Sequence, residues 1–294
     1  MLCIVPATAQ EEMTGVAALG RLEPEGGIIR LAAPSTPLSL GGNVLAQLLV
    51  NEGDEVTAGQ LLAVTDVEPA LNAAVRVAEA ELSLERKAAE ASRSKAEEAC
   101  VIADVQAREA NRRTSLLERD LASKEEVDQS QGDAEAQAAS CTAARANAEV
   151  AAAAIDLAEA VLARRQAELD RAFIKAPFDG RVLRVLAEPG EYVGPEGLLE
   201  LGRVGQMFAI AEVYETDIRR VRPGQAATIT SDALAGDLTG TVVFIRPKVQ
   251  KQDEIGTDPA ARKDARIIEV GIRLADSAAA ASFTNLQVEV VIAP

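Results

Sequence analysis

The chain has 294 residues, 48% apolar and 26% charged, which places it in the globular range and gives a prior of one to three domains. It contains no histidine, so a Ser-His-Asp or Cys-His catalytic group and a His-ligated zinc are excluded. Aromatic residues at 2% argue against base-stacking platforms, and a formal charge of -16 argues against phosphate binding, so nucleic acid is not an expected partner.

In chain order, residues 1–13 come first. The run from Met1 to Gln10 is short and apolar, with Ala7-x-Ala9 like a signal-peptide cleavage site but no basic region before it. It reads either as a flexible terminus or as the remnant of an export signal or membrane anchor lost upstream. No apolar run reaches the ~18–20 residues that span a bilayer. Residues 14–33 are expected to add a strand, around Ile28–Ala33, to a later barrel.

Residues 34–68 and 172–204 look like two copies of one short β unit. Each has a strand, a Gly-acidic-x-Val turn (Gly53 to Val56, Gly190 to Val193), a second glycine (Gly59, Gly197) and another apolar strand. An internal repeat separated by an insertion suggests two halves of one small β-sandwich.

The insertion, residues 69–171, is helical. Between Pro69 and Pro177 only Gly132 interrupts a run of Ala, Glu, Arg, Gln and Leu, the strong helix formers. Ser123 followed by Glu126 is a capping box that opens a new helix, so the segment divides into helices 70–117 and 124–171. Each is about 70 Å long at the α-helical rise, and together they form an antiparallel hairpin.

The spacing predicts a coiled-coil seam of small residues. It comprises Ala96, Cys100, Ala103, Ala107, Ala110 and Leu117 in the first helix. In the second it comprises Val127, Ala134, Ala138, Cys141, Ala148, Ala152, Ile155, Leu162 and Leu169, with Arg145, Glu159 and Gln166 as interruptions.

Residues 205–294 are β-rich, with strands at Phe208–Val213, Ala226–Thr230, Thr241–Ile245, Ile267–Leu274 and Gln287–Ile292. A short helical turn at Thr216–Val221 and a surface loop over 247–265 separate them, and the set reads as a small barrel with a membrane-proximal region. Glu212, Glu215 and Asp217 form an acidic group, read as a strand-to-helix surface loop rather than a paired-carboxylate site. The expected class is α+β: a long hairpin inserted in a split β domain, followed by a barrel.

That order resembles the periplasmic adaptor, or membrane fusion, proteins of HlyD and AcrA type, whose split β domain is lipoyl-like. More narrowly, Gly20-Arg-Leu-Glu-Pro-Glu25, Asn285-Leu-Gln-Val-Glu289 and the stretch Asp258 to Val270 resemble the DevB-type adaptors of cyanobacterial ABC exporters. Adaptors that dock on TolC-like channels carry an Arg-x3-Leu-x6-Ser motif at the hairpin tip, and Arg112, Leu116 and Ser123 match it. By the resemblance they form a channel-docking site. Read alone, they are a solvated charge, a loop-packing residue and a helix cap.

Cys100 and Cys141 straddle the turn almost symmetrically. They are either an inter-helix disulfide formed in an oxidising periplasm or two small packing residues.

The resemblance implies a periplasmic protein attached to the inner membrane through its N-terminus. It would be hexameric and would bridge an inner-membrane ABC transporter, permease and ATPase, to a TolC-like outer-membrane channel, with glycolipid as one cargo. An adaptor for a proton-driven pump of RND type is the alternative. A lipoyl or biotinyl carrier is disfavoured because Val67 stands where the modifiable lysine belongs, so no cofactor is expected. No G-x4-G-K-S/T loop is present, which puts ATP hydrolysis in a partner and leaves this chain without an enzymatic role.

Overall fold

The computed structural model describes residues 15–36, 43–251 and 266–294. The expectations for residues 1–13, most of the Asp258 to Val270 stretch and most of the 247–265 loop lie outside them. The chain forms two compact units, one of β-strands and one helical. The protein is α+β, with a long helical hairpin and a strand-rich region.

The strands are β1 (Val16–Leu31), β2 (Leu45–Leu48), β3 (Glu55–Val56), β4 (Leu61–Thr65), β5 (Phe173–Lys175), β6 (Gly180–Val185), β7 (Leu199–Tyr214), β8 (Ala226–Thr230), β9 (Leu238–Lys251), β10 (Arg266–Leu274) and β11 (Gln287–Ile292). Six of them close a barrel in the order β1-β11-β8-β9-β10-β7, because β1 also pairs with β7. Alternation at period two sends one row of each strand inward. Leu22, Met207, Val213, Ile229, Val270, Ile272, Val290 and Ile292 fill the interior, as expected for so few strands. Gly20 sits on the inward row of β1, where a Cβ would lie 2.5 Å from the Ile210 carbonyl oxygen, so only glycine lets β1 approach β7.

The barrel is closed by the first part of β1. Val16–Arg21 pairs with β11, whereas the expected segment near Ile28 pairs with Leu199–Gly202 at the start of β7. β7 itself runs 16 residues without a break, so the 204/205 boundary falls inside it. It leaves one core, with Leu199 and Leu201, and enters the barrel core at Val204 and Met207. β9 likewise continues to Lys251, into the stretch read as loop.

The two β halves interlock by reciprocal hydrogen bonds. The Gly53 N–H donates to the Val182 carbonyl in the second half (2.8 Å), and the Gly190 N–H donates to the Leu45 carbonyl in the first (2.7 Å). All four turn glycines have positive φ, at 91° and 81° in the first half and 95° at both positions in the second. This is the backbone region that disfavours a Cβ. Val56 and Val193, equivalent in the repeat, are both buried in a core shared by the two halves.

In the helical unit, α1 spans Glu68–Leu117 and α2 spans Lys124–Asp170. Pro69 lies in the first turn of α1, where its missing N–H costs nothing. At the same end of the unit, the Thr65 N–H and hydroxyl both donate to the Ala172 carbonyl, 3.0 and 3.3 Å away. The chain therefore leaves for the hairpin and returns from it on neighbouring strands, β4 and β5. Among the described residues no helix is long and apolar enough to cross a membrane.

Candidate docking site on the helical hairpin

Both helices repeat every seven residues without a stutter. The inward rows of α1 are Val75, Leu82, Ala89, Ala96, Ala103, Ala110 and Leu117, and Leu71, Ala78, Glu85, Ser92, Ala99, Gln106 and Arg113. Those of α2 are Val127, Ala134, Cys141, Ala148, Ile155, Leu162 and Leu169, and Ser130, Gln137, Ala144, Ala151, Ala158 and Arg165. A strict seven-residue period makes such helices wind left-handed about each other.

One row of each helix is the one read from the sequence. The other lies one residue away: Ala107, Ala138 and Ala152 are exposed, and Gln106, Gln137 and Ala151 turn inward. Selection by apolar identity favours the alanines, but a Gln carries an apolar stem that tucks beside an alanine seam while its amide stays wet. The supposed interruptions Arg145, Glu159 and Gln166 are exposed as well. Glu159 accepts from Arg86 across the flank of the hairpin at 2.8 Å. Arg165, which does face inward, is satisfied by Glu168 at 2.9 Å.

The tip is a compact set of local bonds. After α1 the Asp120 N–H donates to the Leu117 carbonyl (2.9 Å) and the Leu121 N–H to the Leu116 carbonyl (2.9 Å), with Asp120 at φ 58°. This is a Schellman turn with an aspartate in the left-handed position. Ser123 then caps α2. Its hydroxyl accepts from the Glu126 N–H at 3.2 Å and donates to the Glu126 carboxylate at 2.9 Å, and its own N–H donates to that carboxylate at 2.9 Å. These bonds hold the Glu126 carboxyl below the usual carboxylate range: the backbone bond from Ser123 contributes most, then its hydroxyl.

The structure thus commits the Ser123 hydroxyl within the turn. Arg112 is 71% exposed and makes one bond to Glu109 at 2.5 Å. Glu109 also accepts from half-buried Arg113 at 2.8 Å, and the Arg113 bond is the chief cause of a Glu109 pKa below the ordinary value. One carboxylate thus serves two guanidiniums, and the Arg112 fork is displayed outward. Leu116 is half-buried, whereas Leu121 is 70% exposed, the most open large apolar side chain at the tip. Leu121 stands outside the three motif positions and is read from the sequence, with Lys124, only as an assisting residue of the tip. Cys100 and Cys141 are joined as a disulfide, with Cα atoms 4.6 Å apart.

The acidic group at Glu212 is not a surface loop. Glu212 lies within β7, 6% exposed, directly opposite Glu269 of β10, which is 5% exposed. Arg21 of β1 spends three nitrogens on three carboxylates: Glu23 at 2.6 Å, Glu269 at 2.7 Å and Glu212 at 3.3 Å. Arg246 of β9 adds a second cation to Glu269. The network ties four adjacent strands of the barrel wall. Glu215 and Asp217 lie apart from it, beside Arg266 and Arg220. Among the described residues no group of three or more Cys, Asp or Glu is arranged to hold a metal ion.

No protein-family model matches the chain. Among curated proteins, the multidrug resistance protein MdtN of Escherichia coli K12 is 32% identical over 136 residues, covering 42% of this chain and 40% of MdtN. The macrolide export protein MacA of Yersinia pestis is 28% identical over 218 residues, covering 71% of this chain and 54% of MacA. The chain therefore spans about half or less of the curated relatives it matches.

Among solved structures, MacA from Actinobacillus actinomycetemcomitans superposes with a TM-score of 0.65 at 19% identity, covering 95% of this chain and 79% of that one. The membrane fusion protein Spr0693 from Streptococcus pneumoniae R6 gives 0.58 at 17%, covering 95% and 98%. At these identities the structural likeness is one of fold.

Proposed function

We propose that the chain is the adaptor, or membrane fusion, subunit of a tripartite export system, working by assembly rather than catalysis. In this reading it lies in the periplasm, attached at the inner membrane. It joins an inner-membrane transporter to a TolC-like outer-membrane channel as one of a ring of six copies. The observation that carries the reading is the architecture: a seven-residue-repeat hairpin inserted between two interlocked β halves, followed by a closed barrel, the fold shared with MacA. Sequence similarity to proteins named for macrolide export and multidrug resistance supports an export role.

The hairpin tip is the channel-facing end in this reading, with Arg112 and Leu121 as its outward groups and Leu116 and Ser123 as the turn that presents them. The cysteine bond supports an oxidising compartment. For the inner-membrane partner, the reading favours an ABC transporter, on the likeness of Gly20–Glu25 and Asn285–Glu289 to DevB-type adaptors. In the fold these two stretches meet: the Asn285 N–H donates to the Leu22 carbonyl (2.8 Å) and the Leu22 N–H to the Leu286 carbonyl (2.9 Å). They are thus also the residues that shut the barrel, and co-purification of an ATPase is what separates the ABC reading from a proton-driven pump.

The test is capture of a TolC-like channel by purified protein, comparing wild type with Arg112→Asp and Leu121→Ser. We expect at least a tenfold loss of capture in each, with helicity by circular dichroism unchanged. Capture indifferent to both changes would remove the tip from the docking surface.

A further inference from the structure

The Cys100–Cys141 bond joins the two helices in the part of the hairpin where the seam is made of small residues. At the base of the hairpin the inward rows hold large apolar residues, Leu71, Val75 and Leu82 on α1 and Ile155, Leu162 and Leu169 on α2, whereas nearer the bond they narrow to Ala89, Ser92 and Ala96 on α1 and Ala144, Ala148 and Ala151 on α2. On the tip side, residues 101–140, the inward rows between the bond and the turn hold Gln106 and Arg113 on α1 and Ser130 and Gln137 on α2. The apolar burial left there is methyl-sized, from Ala103 and Ala110, apart from buried Val127 and half-buried Leu117 at the turn. Helices in proteins draw most of their stability from packing of an apolar face, and these arms have little of one. Local caps order the turn itself and leave the arms behind it dependent on some other restraint.

The disulfide supplies that restraint. It closes a loop across a sequence separation of 41 residues and removes from the opened state most of the freedom those arms would gain by separating. The base stretch has its own seam and gains far less. Both cysteines are half-buried, Cys141 on an inward row of α2 and Cys100 beside one of α1, and neither is sealed from a reductant.

We propose that this disulfide is a redox latch for the distal hairpin: oxidised, it holds residues 101–140 as an ordered arm, and reduced, it lets that segment open while the base stays folded. The reduction is a thiol–disulfide exchange. A dithiol gives up two electrons and two protons, the S–S bond breaks, Cys100 and Cys141 become thiols, and the dithiol closes to its own disulfide. The consequence for docking rests on the channel-facing reading of the tip; the ordering claim does not.

The experiment is amide hydrogen exchange on the intact chain, oxidised and after dithiothreitol, with the double variant Cys100→Ser/Cys141→Ser as a third sample. Reduction is expected to lower protection over residues 101–140 at least tenfold, leaving residues 71–82 and 155–169 within twofold. The double variant should match the reduced protein and ignore dithiothreitol. Equal loss along the whole hairpin, or no loss beyond the bond, would overturn the latch, as would finding both cysteines free in the oxidised sample.

Should the double variant fold poorly, wild type reduced after folding decides the matter through trypsin cleavage at Arg112, Arg113 and Arg119, expected at least tenfold faster when reduced. Neither readout involves a channel, so a failed capture experiment leaves this result standing, and the converse holds.

Discussion

Arg21 is the side chain on which the barrel wall most depends. Glu212 and Glu269 face each other across two strands with little access to water, an arrangement that repels unless a cation lies between them. Replacing Arg21 by methionine keeps the stem and deletes the cation, and is expected to cost about 3–5 kcal/mol, read as a lower urea midpoint. Adding Glu269→Gln should return part of that loss. Burial disfavours the charged form of Glu269, but the Arg21 bond and the Arg246 and Arg21 charges outweigh it, so its pKa lies below the ordinary carboxylate value. A depressed folded pKa means that this stabilisation is complete above the ordinary value and is lost as pH falls through the depressed one. Thermal unfolding of wild type should therefore weaken on acidification over that window, and Glu269→Gln should flatten the dependence. Nothing in the linear pattern announced this network, because Arg21 meets partners 191 and 248 residues away and each residue, read locally, is one charge in an alternating strand. The tip differs in this respect: the Ser123–Glu126 box is a three-residue pattern and was legible at once. Ser123→Ala should cost about 1 kcal/mol, seen as a lower melting temperature of the hairpin.

At the scale of elements, the helices were legible because composition and punctuation agree over a hundred residues. The fine setting of the seam was not, since alanine stands on several faces and a pattern of small residues cannot distinguish two adjacent rows. A pair of substitutions checks the setting. Ala103→Leu overpacks a buried seam position and is expected to cost about 1–3 kcal/mol. Ala107→Leu places the same side chain on an exposed face and should change stability by less than about 0.5 kcal/mol. The opposite ranking in thermal melts would restore the seam read from the sequence. The β repeat was legible through its glycines, whose positive φ is a backbone demand that few residues meet. What the repeat did not reveal is that each half donates its turn to the other, a pairing that depends on contacts between segments separated by the whole insertion.

Across the whole molecule the charge of -16 comes from 46 acidic and 30 basic side chains with no histidine among them. No side chain with an unperturbed pKa between about 5 and 8 is therefore present. Association between copies must work against this net charge, which salt screens with a Debye length near 8 Å at physiological strength. Sedimentation is expected to show stronger self-association at 300 mM than at 50 mM salt, and little change between pH 6 and pH 8 at fixed salt; tighter association at low salt would point instead to attraction between opposite charges. The order of strand-rich and helical segments was readable because each carries its own periodicity, two for strands and seven for the hairpin, and the change of period marks the change of segment. The bond from Thr65 to Ala172 gives that order a further meaning. The hairpin enters and leaves through one doorway, so its length is an independent variable of the design. Removing seven residues from each helix at matching levels shortens the arm by about 10 Å and returns every inward row to register, whereas removing three or four from one helix rotates its seam outward. The hairpin is in this sense a ruler graduated in heptads, which can be reset to a different span without rewriting the β-strands that carry it.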